Sequence, residues 1–179
     1  IFQSNGMPRI IDAFDYSESF HSRVLRDREG VSLERTNSDG DTQEPANWHS
    51  AASIVGHATP TMLNSQLKNL GLGDQMFSLN PARISPDGDG FEDFLTIDYQ
   101  LPSPGYVAHI RIYDASGRLS RYLLNNESLA TKGQIKWDGE TDEGLKTPIG
   151  IYTILIEVFD QDGDAIRQKE LCVVAGKLN

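Results

Sequence analysis

Cysteine is almost absent: one residue, Cys172, among 179. A single thiol excludes a disulfide framework and any multi-cysteine metal site. In the apolar run "LCVV" it reads as a small buried hydrophobe in preference to a reactive thiol. The redox compartment stays open, because a core of this size needs no covalent staple. Positive charge is also scarce, with 16 basic against 26 acidic residues, a net charge of -10 and a pI near 4.7. That balance repels phosphate backbones and anionic bilayers, so nucleic acid is not an expected partner. Long hydrophobic runs are missing too. "IYTILIEVF" has the length of a strand, far below the roughly 20 residues that cross a bilayer, and the chain reads as soluble with no membrane insertion. The four histidines, His21, His49, His57 and His109, show neither H-x-x-x-H spacing nor a cysteine partner, which leaves a zinc site without support. Ser50 follows His49, yet no G-x-S-x-G elbow surrounds it.

What the chain does contain is strand pattern. In "LTIDYQL", Leu95, Ile97, Tyr99 and Leu101 alternate with Thr96, Asp98 and Gln100, which sends one face to a core and the other to water. "YVAHIRIYD" and "GIYTILIEVFD" are further strands closed by "ASG" and "QDGD", where Gly117 and Gly163 supply the positive φ of tight hairpins. "SRYLL", "QIKWDG" and "AIRQKELCVV" add three more, making about six strands after Phe94, spaced for a β-sandwich. Toward the front, "RIIDAFDYS" and "GVSLERT" are expected strands, followed by a polar run "NSDGDTQEPANWHS". Two or three strands make no core, so this part packs on the second unit, pairs with another chain, or is completed by strands upstream in a longer protein. "FQSN" has the pattern of a cleavable expression tag, and residues 1–6 are set aside as its remnant. The expected division is therefore a partial β module at 7–66, a linker at 67–76 and a sandwich at 77–179.

Two acidic stretches carry the candidate chemistry. "SPDGDGFEDF" holds Asp87, Asp89, Glu92 and Asp93 around Gly88 and Gly90. EF-hand spacing from Asp87 fails, since Phe91, Glu92 and Asp98 stand where a ligand, a glycine and a bidentate glutamate belong. Two alternatives remain. Asp87, Asp89 and Asp93 turn their carboxylates to one hard cation, for which oxygen-only ligands favour Ca²⁺, or they cap their own turn and no cofactor is present. Catalysis would need a cleft that separates two pKa values, which an exposed glycine-rich loop does not supply. In "WDGETDEGLKTPIGIY", Trp137 offers its ring to a core, Gly139 and Gly144 suit turns, and Pro148 with Gly150 positions the next strand. Asp138, Glu140, Asp142 and Glu143 read as a solvated tip.

From "FSLNPARISPDGDGFEDFLTIDYQLP" through "IRIYDASGR" to "WDGETDEGLKTPIGIY" and "IEVFDQDGDAI", the chain resembles the FlgD-like immunoglobulin-type domain. The family marks are an "SPNGDG" opening, an "IYD-x-x-G-R" hairpin and a "WDG-x-D-x-x-G-x-x-x-P-x-G-x-Y" turn, met here in order over about 100 residues; Asp87 replaces the common Asn. The resemblance implies a sandwich module near the C-termini of large exported bacterial proteins and in the flagellar hook-cap protein, serving assembly or display. Residues 8–66, with "IIDAFDYSESFH", "GVSLERT", "NWHSAAS" and "GHATPTMLNSQ", resemble the second half of a bacterial lamin-tail domain, with Thr61 departing from the glycine that often follows Pro60. The tandem implies a secreted, periplasmic or cell-surface protein of the Bacteroidetes type, larger than this chain.

The expectation is therefore an all-β, immunoglobulin-like sandwich preceded by a partial second module. Its expected role is non-catalytic: a structural, adhesive or surface-display region whose partners are other domains of a parent protein or surface components, with a strand-exchanged dimer as one way to close the first module. A carbohydrate- or peptide-binding module is the alternative, favoured if Tyr99, Tyr106, Tyr113 and Tyr122 form an exposed platform. Part of a hydrolase is the third, favoured by a pocket holding a perturbed acid or histidine near Asp93 or His49.

Overall fold

The computed structural model describes residues 13–23, 25–67 and 76–176, together with the backbone of two short paired strands, β1 (Phe2–Ser4) and β2 (Met7–Arg9). The chain is all-β, built from largely antiparallel sheets, with short 3-10 turns in the front segment. Two of these sheets face each other as a sandwich. One has the order β10–β7–β5, from β5 (Phe77–Asn80), β7 (Leu95–Gln100) and β10 (Lys132–Trp137). The other has the order β6–β12–β11–β8–β9, from β6 (Arg83–Ile84), β8 (Val107–Asp114), β9 (Leu119–Ser128), β11 (Gly150–Phe159) and β12 (Ala165–Val174). All six strands expected after Phe94 are present. β5 and β6 were not expected, and β6 joins its sheet as a parallel partner of β12.

The alternation in the sequence becomes the burial pattern. Leu95, Ile97 and Tyr99 point inward from β7, while Ile110 and Ile112 from β8 and Ile154, Ile156 and Val158 from β11 meet them from the other sheet. Trp137 fills the end of the core, with its ring edge-on to Tyr152 and its indole N–H donated to the Glu140 carbonyl. Cys172 lies in the same core, and burial pushes its thiol up to about 11.

The front of the chain differs from expectation. In "RIIDAFDYS", Arg9 belongs to β2, residues 10–12 lie outside the described residues, and 13–17 form no strand. "GVSLERT" supplies only β3 (Leu33–Arg35), which pairs with β4 (Trp48–Ser50), inside the run read as polar. Residues 68–75, most of the expected linker, also lie outside the described residues. The described part of this segment packs on the sandwich. The Ser53 N–H donates to the Ser128 hydroxyl and the Ser128 N–H to the Ser53 hydroxyl, each at 2.8 Å. The Thr131 N–H donates to the Ser65 carbonyl at 2.8 Å. Gln66, 1% exposed, donates to the Leu129 carbonyl and accepts from the Gly105 N–H. The segment buries mostly polar side chains, among them Glu34, Thr36, Asn47, His49, Ser65 and Gln66, because three-residue strands offer too little apolar surface for a core of their own.

Candidate functional site

The loop between β6 and β7 brings Asp87, Asp89 and Asp93 together: one carboxylate oxygen from each lies within 4.8 Å of the others. Two glycines at positive φ, Gly88 and Gly90, allow the tight path. The carboxylates are also at work on the backbone. Asp93 accepts from the Gly88 N–H with Oδ1 and from the Gly90 N–H with Oδ2, both at 2.7 Å. Asp87 Oδ1 accepts from the Asp89 N–H and Asp89 Oδ1 from the Phe91 N–H, at 3.2 and 2.9 Å. Arg83 pairs with Glu92 at 3.0 Å, and the Lys146 ammonium donates to the Pro86 carbonyl. The turn chemistry is thus expressed, and one carboxylate oxygen of each aspartate converges in the same loop.

A second site was not legible from spacing. Where the front segment meets the sandwich there is a cleft of about 520 Å³, lined by residues 19–23, by Trp48 and His49, and by Ser103, Pro104 and Asp160–Asp162 of the sandwich. His49 is buried and contacts the Gln161 amide, and no Cβ fits at Gly105, which lies directly against both side chains. His21 Nδ1 lies 2.9 Å from the Ser50 hydroxyl, which also accepts from the Ser22 N–H. A serine hydroxyl can accept two bonds and donate one, so either tautomer of His21 satisfies this contact. Burial pushes both imidazoles below their ordinary range. At His21 the Arg28 charge adds to this and Glu18 opposes it, while at His49 a hydrogen bond to the Ser50 backbone opposes it. Ser50 itself is 3% exposed and is not among the residues that line the cleft, whereas His21 is.

The residues that carried the family resemblance are spent on turns. Asp114 holds the "YDASGR" hairpin by accepting from the N–H groups of Ser116 and Arg118 and pairing with the Arg118 guanidinium at 2.8 Å. Those bonds, the Arg118 N–H first, hold its carboxyl below the usual range. Gly139 sits at positive φ against Pro86, Thr147 donates to the Gly139 carbonyl, and the Tyr152 hydroxyl donates to the Pro148 carbonyl.

No family model matches the chain, and no curated protein matches it. Solved structures similar to it include FlgD from P. aeruginosa, 20% identical with a TM-score of 0.37, covering 45% of this chain and 62% of that one. CopC from Methylosinus trichosporium OB3b is 16% identical with a TM-score of 0.36, covering 58% of this chain and 95% of that one. PorZ, described as a surface component of the type-IX secretion system of Porphyromonas gingivalis, is 22% identical with a TM-score of 0.34, covering 54% of this chain and 11% of that one. The chain thus spans less than two thirds of FlgD and about a tenth of PorZ.

The tyrosines do not form one platform. Tyr99 and Tyr106 are buried, Tyr113 is half-buried and Tyr122 is exposed. Burial raises the Tyr99 phenol to about 12.

Proposed function

We propose that this chain is a non-catalytic structural or display region of an exported bacterial protein, in which the FlgD-like sandwich anchors a lamin-tail-like segment. The observation that supports this most is how the conspicuous polar residues are used. Asp114, Gly139, Thr147 and Tyr152 hold turns, and Ser53, Ser65, Gln66 and Ser128 hold the front segment to the sandwich. Residues committed to internal architecture suit a module whose job is to present something at a fixed geometry. The test is to delete residues 13–176 from the encoding gene and to fractionate cells. Loss of the product from the surface, periplasm or medium supports the reading, whereas an unchanged distribution overturns it.

A Ca²⁺ ion on Asp87, Asp89 and Asp93 is a second component, favoured by the 4.8 Å convergence of their oxygens. A ligand held only by the folded state at about 100 times its Kd adds roughly 2.7 kcal/mol and raises the melting midpoint by several degrees. Melting in millimolar Ca²⁺ and in EDTA at equal ionic strength decides it. A rise abolished by Asp89→Ala establishes the site, and identical midpoints leave the three aspartates as turn-formers.

A further inference from the structure

The outer face of the five-stranded sheet carries an apolar ladder that no other described residue covers. Ile151 of β11 lies directly opposite Val173 of β12, with Leu171 two residues along and Ile149 just before β11. These four are 55%, 41%, 61% and 74% exposed. Scattered apolar residues need no explanation, but a contiguous group on a flat sheet face marks a contact surface. Farther along β12 the same face turns cationic with Lys169 and Arg167, the latter paired with Glu157. The sequence of chemistry along this strand is therefore apolar, then basic.

The reverse chemistry stands beside it. Val173 neighbours Arg83 of β6, and the Arg83–Glu92 ion pair ties that edge to the loop of residues 85–93. This loop exposes Phe91, 68% accessible, next to the exposed Asp87 and Asp89, each of which engages the backbone through Oδ1. An aromatic ring beside carboxylates complements an apolar ladder that leads to cations. Both surfaces lie at the same end of the sheet, and an isologous contact between two copies would need such a self-complementary pair.

We propose that the outer face at Ile149, Ile151, Leu171 and Val173 binds a second copy of this chain, with Phe91 of each copy on the ladder of the other and Asp87 and Asp89 against Lys169. Charge selects this pairing. With a net charge of -10 per copy, most faces repel one another, while the carboxylates of the loop attract Lys169.

Sedimentation velocity across the micromolar range, in EDTA to keep the loop free of cations, is the test. The wild-type chain forms a dimer. Ile151→Asp and Phe91→Asp each weaken it at least about tenfold. An equimolar mixture of the two variants recovers association, because one intact loop then meets one intact ladder. Leu63→Asp, at an 82% exposed site elsewhere, leaves it unchanged. All substituted positions are exposed, and matched thermal melts confirm folding. A wild-type chain that stays monomeric, a Phe91→Asp protein that associates like wild type, a mixture that fails to recover, or equal weakening by Leu63→Asp each overturns the proposal.

Discussion

Asp93 differs from its two acidic neighbours in how much of the loop depends on it. Both of its oxygens accept short bonds from backbone N–H groups, whereas Asp87 and Asp89 each hold one amide through a single oxygen. Charge-assisted bonds are the stronger kind, so in EDTA Asp93→Ala costs about 2 kcal/mol and Asp89→Ala about 0.5 to 1 kcal/mol. Urea unfolding followed by Trp137 emission measures both, and equal costs would show that the loop is not built around Asp93. The turn role of these residues was legible because Asp-Gly repeats carry a local mechanism. Which aspartate bears the weight was not, because that depends on how the loop closes across five residues from Gly88 to Asp93. The same limit hid the His21–Ser50 pair, which joins positions 29 apart.

At the scale of elements, the six later strands were legible because each alternates over enough residues to declare an inner face. In β7, Leu95, Ile97 and Tyr99 are buried and Thr96, Asp98 and Gln100 are not. β4, β5 and β6 are two to four residues long, too short for alternation to register, and β6 exists only through its parallel pairing with β12. The docking of the front segment was equally hidden, since it rests on Ser, Thr and Gln side chains that look like loop composition. Gln66 is the joint to test. Its amide serves Leu129 and Gly105 in a site closed to water, so Gln66→Ala leaves two backbone groups of the sandwich unpaired and costs about 2 to 3 kcal/mol. Gly105→Ala acts on the same joint by another route: φ is +94°, and the new methyl would stand 2.5 Å from the Gln161 amide nitrogen. Hydrogen exchange should show both variants loosening residues 13–67 more than β8 and β11. Uniform loosening would mean that the segment and the sandwich unfold as one unit.

Across the whole molecule, acid and alkali act on different parts. His21 and His49 sit where the front segment folds and docks, and burial holds both below the ordinary value of 6.5. The unfolded segment then binds more protons than the folded one, so the stability they contribute is complete above 6.5 and falls as the pH drops through that value toward their lowered pKa values. Arg28 strengthens this effect at His21 and Glu18 tempers it there, while the hydrogen bond to the Ser50 backbone tempers it at His49. Tyr99 and Cys172 lie in the sandwich core and shift the other way, from 10.0 to about 12 and from 9.0 to about 11. Their contribution is complete below pH 9.0 and is lost as the pH rises through their folded values. Each part carries its own tryptophan: Trp48 stacks on Phe14 in the front segment, and Trp137 sits in the core. Urea midpoints read through Trp48, in a Trp137→Phe background, should fall between pH 7 and pH 5 while those read through Trp137, in a Trp48→Phe background, hold steady. The order should reverse between pH 9 and pH 11. His21→Gln with His49→Gln should flatten the acid limb and leave the alkaline one intact; if both tryptophans report the same acid limb in that double variant, the histidines are not its cause.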